Sequence, residues 1–93
     1  MREYELIFIV HPDLDENAFN EVVNKVTSWI TDGGGEVTKT DIWGKRRLAY
    51  PIRKQTEGQY ALFLVTMDPK FGTQMEHNLR FLEPILRYSI VAK

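Results

Sequence analysis

Tyr60-Ala61-Leu62-Phe63-Leu64-Val65-Thr66-Met67-Asp68-Pro69 is the stretch on which the fold turns. A short, strongly apolar run closed by a turn signal reads as a buried strand. Asp68 can cap a helix, and a proline directly after it suits the first helical position, where its missing N–H costs nothing. The chain therefore passes from a core strand into a helix with almost no connection.

Downstream, Phe71, Met75, Leu79 and Leu82 continue at helical spacing, and Glu83-Pro84 stops that helix. Ile85 to Val91 is the last strand. Upstream, Gln55-Thr56-Glu57-Gly58 reads as a turn, and Val37 to Ile52 as a long extended segment, bent or bulged near Gly44. Before that segment, Gly33-Gly34-Gly35 follows a helix marked by Phe19, Val22, Val23, Val26 and Ile30. A glycine run in that place is a helix cap; a phosphate loop needs a strand before it and a helix after it. Asp13 or Asp15 is the N-cap. Glu3 to Val10 is a strand ended by His11-Pro12, with Tyr4, Leu6, Phe8 and Val10 on one face and Glu3, Glu5, Ile7 and Ile9 on the other.

The order is β-α-β-β-α-β. Two split βαβ units with right-handed crossovers give a ferredoxin-like α+β fold, a four-stranded antiparallel sheet with both helices on one face. The first and third strands are central, in keeping with the apolar runs Leu6 to Val10 and Ala61 to Val65. The second lies at an edge, where Pro51 is tolerated because it donates nothing to a ladder.

Ninety-three residues predict a single domain spanning 1–93. There is no cysteine, which excludes disulfides, zinc knuckles and thiol nucleophiles and suits a reducing compartment. No apolar run approaches the roughly 18 residues of a membrane span, and the opening has no signal-peptide pattern, so the expectation is a soluble cytoplasmic protein. His11 and His77 are solitary, and neither a metal site nor a cofactor is expected.

Net charge is −1, yet charge is unevenly spread. Residues 13 to 24 hold Asp13, Asp15, Glu16 and Glu21 and no base. Gly44-Lys45-Arg46-Arg47-Leu48-Ala49-Tyr50-Pro51-Ile52-Arg53-Lys54 holds five of the twelve basic residues and no acid. Cations interleaved with β-formers and an aromatic ring suit a phosphate backbone and an unstacked base. The same pattern also describes a solvated edge strand that resists aggregation.

Residues 44 to 53 closely resemble the signature of the bacterial small-subunit ribosomal protein six family. Met1-Arg2-Glu3-Tyr4-Glu5 is similar to that family's opening, and Pro12-x-Leu14 to its turn into the first helix. The resemblance covers the whole chain. Many members carry a polar or acidic tail after the last strand, whereas this sequence ends at Lys93. The resemblance implies a protein that binds 16S ribosomal RNA in the central domain of the small subunit. It also implies a heterodimer with ribosomal protein eighteen.

On that footing Lys45, Arg46, Arg47, Arg53 and Lys54 are the candidate phosphate contacts. Arg46 and Arg47 point to opposite faces of a regular strand. Tyr50 can stack on a base or ribose, or pack against the edge of the core, the second being preferred. Arg2 and Arg87 are candidate outer contacts. Tyr4 belongs with the core, Trp29 with the helix–sheet seam, and Trp43 beside the bulge is core or interface.

By alternation, Ile7, Ile9, Tyr60, Leu62 and Leu64 face away from the helices. Five apolar side chains on a bare face exceed what a monomer normally exposes. They predict a partner on the open sheet face, at the second-strand edge, or across both. A homodimer, or shielding by Lys and Arg stems, would also account for them.

Three other functions share the plan. An acylphosphatase-type enzyme needs a phosphate-cradling first loop, and Val10-His11-Pro12-Asp13-Leu14-Asp15 is acidic. A ligand-binding regulatory domain normally accompanies a second domain. An RNA-recognition motif needs a basic-Gly-aromatic run on the third strand, which Gln59 to Phe63 lacks. No catalysis and no small-molecule substrate are expected.

Overall fold

In the computed structural model, which describes residues 2–93, six elements follow the expected order. They are β1 (Arg2–Val10), α1 (Glu16–Asp32), β2 (Glu36–Ile52), β3 (Gln55–Met67), α2 (Pro69–Arg80) and β4 (Ile85–Ala92). The strands form one antiparallel sheet in the order β2-β3-β1-β4, with β1 and β3 central.

Local chemistry sets the helix ends. The Asp15 carboxylate accepts from the Ala18 N–H at 2.8 Å, which settles the N-cap of α1. At the other end Gly34 takes φ +85°, and the Gly34 and Gly35 N–H groups donate to Thr31 and Ile30 carbonyls. That is a Schellman closure, which a β-carbon at Gly34 would oppose. Asp68 caps α2 by accepting from the Lys70 N–H at 2.8 Å, with Pro69 opening the helix. The helix closes at Phe81, so Leu82 falls just outside it.

The helices cover one face of the sheet. Leu6, Phe8 and Val10 of β1 meet Ala61, Phe63, Val65 and Met67 of β3, and Phe19, Val22, Val26, Ile30, Met75 and Leu79 close over them. Phe8 and Phe63 pack edge to face, centroids 5.3 Å apart. Tyr4 and Trp29 lie against this core, half-buried, as expected of them.

The β2–β3 connection differs from the sequence reading. The turn is not Gln55 to Gly58, which belong to β3, but Arg53-Lys54, both at positive φ (49° and 67°), between the paired Ile52 and Gln55. This is the two-residue hairpin geometry that matches strand twist. Gly58 resembled a turn residue for another reason. A β-carbon there would overlap Ile9 Cγ2, so glycine serves close packing, not reversal.

That contact belongs to a second, smaller core on the open face. Ile9, Leu48 and Leu86 are buried together, with Ile52 and Tyr60 against them. Extra β2 residues between the pairs Arg47–Glu57 and Ile52–Gln55 let Leu48 reach across β3. The end of the hairpin thus arches over one corner of the sheet.

Candidate nucleic-acid interface

Gly44 starts the basic segment. Its φ of +79° accompanies a register shift between Ile42 and Gly44, the bulge expected there, and no atom lies near its missing β-carbon. Backbone conformation, not space, asks for glycine. The bulge lays the Trp43 ring over Tyr60, 5.9 Å between centroids and 16° from parallel. The Arg46 guanidinium sits 5.7 Å from the Trp43 ring, so Trp43 and Arg46 stack upon the open face. Arg46 pairs with Gly58 and Arg47 with Glu57, so the two arginines alternate sides as strand geometry requires.

Beyond Leu48 the chain reaches β4. Tyr50 is 54% exposed, which corrects the preference for packing against the core. Its hydroxyl accepts a hydrogen bond from Arg87 Nη1, and the guanidinium lies 5.7 Å from its ring centroid. Arg53 Nη1 donates to the Glu83 carbonyl at 3.2 Å, tying the hairpin tip to the segment before β4. Arg53, Arg80 and Arg87 then line one open cleft of about 230 Å³ floored by Leu79, Ile85 and Leu86. Arg80 was missed in the sequence. Its only mark there is a base in the last turn of α2, which fits the helix dipole equally well.

Electrostatically the cluster is open. Among the described residues, the one approach within 4.0 Å between a basic group and a carboxylate is His11 to Asp13, at 3.8 Å. Lys45, Arg46, Arg47, Arg53, Lys54, Arg80 and Arg87 thus have no carboxylate partner, and all are exposed. Arg2 stands apart. It pairs with Met67, whereas the hairpin end of β1 is Val10, paired with Gln59, roughly 27 Å away at about 3.4 Å per residue.

The open face is less bare than alternation suggested. Ile7, Tyr60, Leu62 and Leu64 are half-buried, but Ile9 is only 8% exposed, sealed by Leu48 and Leu86. Ile9 is therefore corrected from a free surface residue to a member of the small core. Trp43 (37%) and Val91 (55%) extend the exposed apolar surface of this face to both edge strands, whereas Ile42 (46%), paired with Ala61, takes the helix side.

The first loop is committed elsewhere. The His11 N–H donates to Pro84 O, the Asp13 N–H to His11 Nδ1, and the Leu14 N–H to His11 O. A phosphate cradle needs such groups free. Among the described residues, no cluster of three or more His, Asp or Glu is placed to hold a metal. Among the described residues, no helix is long and apolar enough to cross a membrane.

Fold and site together define a ferredoxin-like α+β protein that presents unpaired cations along a β-hairpin. The family model for ribosomal protein S6 matches residues 3–92, and the chain belongs to the ribosomal protein S6 family. It is 43% identical over 90 residues to the small ribosomal subunit protein bS6 of Moorella thermoacetica, covering 97% of this chain and 92% of that one. Against the protein of the same name from Clostridium kluyveri it is 42% identical over 91 residues, covering 98% and 96%. A crystal structure of 30S ribosomal protein S6 from Thermotoga maritima superimposes with a TM-score of 0.94 at 28% identity, over 99% of this chain and 87% of that one. The chain is a ribosomal protein, not an enzyme.

Proposed function

We propose that this chain is a structural constituent of the bacterial small ribosomal subunit, working in the cytoplasm as one domain. It binds 16S ribosomal RNA jointly with ribosomal protein eighteen. The observation that carries the reading is the set of unpaired cations that the hairpin and β4 bring to one corner of the sheet. A cation without a carboxylate partner is free to replace the counterions of a phosphate chain. Lys45, Arg46, Arg47, Arg53, Lys54 and Arg87 are the phosphate contacts, joined by Arg80. Tyr50, held by Arg87 and more than half exposed, offers a ring to a base or ribose. Arg2 is a separate outlying contact.

Ribosomal protein eighteen docks on the open face. Ile7, Tyr60, Leu62 and Leu64 are its apolar anchors, and the outer edge of β2 beside Pro51 offers free backbone groups to an extended segment. A net charge of −1 provides little long-range attraction to RNA, so a basic partner supplies the remainder. Pull-down from a bacterial lysate, with and without ribonuclease, tests the reading. Small-subunit RNA should co-purify, and ribosomal protein eighteen should remain after ribonuclease. Recovery of neither contradicts it.

A further inference from the structure

On the side of the molecule away from the open face, a groove of about 420 Å³ runs between α1 and the segment that follows α2. Leu14, Ala18 and Val22 form one wall; Leu82 and Pro84 form the other. Ala18 gives the groove its depth, because a larger side chain there would fill it.

The walls are held in place. The His11 N–H bonds Pro84 O at 2.8 Å, joining them at one end. The Gln59 side-chain amide donates to both the His11 and Leu14 carbonyls, at 3.1 and 3.0 Å. Such a groove requires no ordering before it is occupied.

Its rim carries more negative than positive charge. Glu21 stands on the α1 side and Glu83 on the other. Lys25 also lines the rim four residues after Glu21, yet no ion pair forms between them. Asp13 and Asp15 flank Leu14 and add to the negative field.

We propose that this groove docks a peptide segment of a partner protein, apolar anchors entering between Ala18 and Leu82 with flanking Lys or Arg residues meeting Glu21 and Glu83. The charge selects the occupant, because an acidic or phosphate-bearing ligand would meet unpaired carboxylates on both rims. The groove lies on the helix side and none of the hairpin cations lines it, although Arg53 of the hairpin holds the Glu83 carbonyl at its rim.

Selection of a random-peptide display library on the purified protein tests this. Enriched sequences should combine an apolar anchor with flanking Lys or Arg. Their binding should fall about tenfold or more in Ala18→Leu, which fills the groove, and in the Glu21→Lys, Glu83→Lys double variant, which reverses exposed charges. Leu62→Asp on the opposite face should leave it unchanged. Unaltered thermal unfolding of the charge-reversed protein would separate impaired binding from impaired folding. Enrichment no greater than on a bare surface, enrichment of acidic peptides, or binding indifferent to both groove variants overturns the proposal. So does self-association of the protein alone that Ala18→Leu abolishes, since the occupant would then be a second copy.

Discussion

Arg87 on β4 holds Tyr50 of the β2 hairpin, donating to its hydroxyl and lying 5.7 Å from its ring centroid, across 37 residues of sequence. The contact spans the sheet, since β2 and β4 are its two edges. The hairpin that carries the basic run is thereby anchored at its far end. Exposed cation–π pairs contribute about 0.5–1 kcal/mol. A double-mutant cycle of Tyr50→Ala and Arg87→Ala, read by urea unfolding, should show coupling of that size; strict additivity would place the two side chains out of contact.

Gly58 is expected to be intolerant of even one methyl group, because the added carbon would overlap Ile9 Cγ2. Gly58→Ala should destabilise by about 1–3 kcal/mol, the usual range for overpacking. Combining it with Ile9→Ala should cost less than the two changes summed, since the truncation makes room. A neutral Gly58→Ala would mean that the small core on the open face is loosely packed.

The hairpin tip illustrates a different cost. Arg53 and Lys54 both hold the left-handed conformation, which disfavours a side chain by roughly 1–2 kcal/mol per residue. Lys54→Gly should therefore stabilise the domain by up to about 1 kcal/mol after glycine's own entropic cost. It should also weaken RNA binding, because the tip then carries one cation fewer. Stabilisation with unchanged binding would remove Lys54 from the interface.

Strand alternation, helix caps and the apolar stretch from Tyr60 to Met67 made the fold legible, because each is a local rule that burial reinforces. The hairpin tip was not legible in the same way. Gly58 looked like the turn, yet its need for glycine comes from Ile9, a neighbour on another strand. Ile9 had the parity of an open-face residue, and the arch of β2 that delivers Leu48, together with Leu86 of β4, conceals it. Tyr50 and Arg80 acquire their surroundings from β4 and the hairpin tip respectively. Sequence spacing reveals which face a residue takes. It does not reveal which distant side chain arrives there.

The open face sets a partner test. Leu62 is half-buried there and outside the main helix-side core, so Leu62→Asp should leave unfolding nearly unchanged. It should abolish the heterodimer with ribosomal protein eighteen in sedimentation. Pairing that survives in a folded variant would move the docking surface to the edge of β2 or to the helices.

The central claim is that the unpaired hairpin cations meet phosphate. Titrating the central-domain fragment of 16S ribosomal RNA with this protein and ribosomal protein eighteen across a range of salt concentrations measures it most directly. The slope of log K against log salt should be shallower in Arg46→Ala, Arg47→Ala than in the parent, by about 0.7–0.9 for each phosphate the protein no longer neutralises, with weaker affinity throughout. A folded double variant whose slope and affinity match the parent's would contradict the claim.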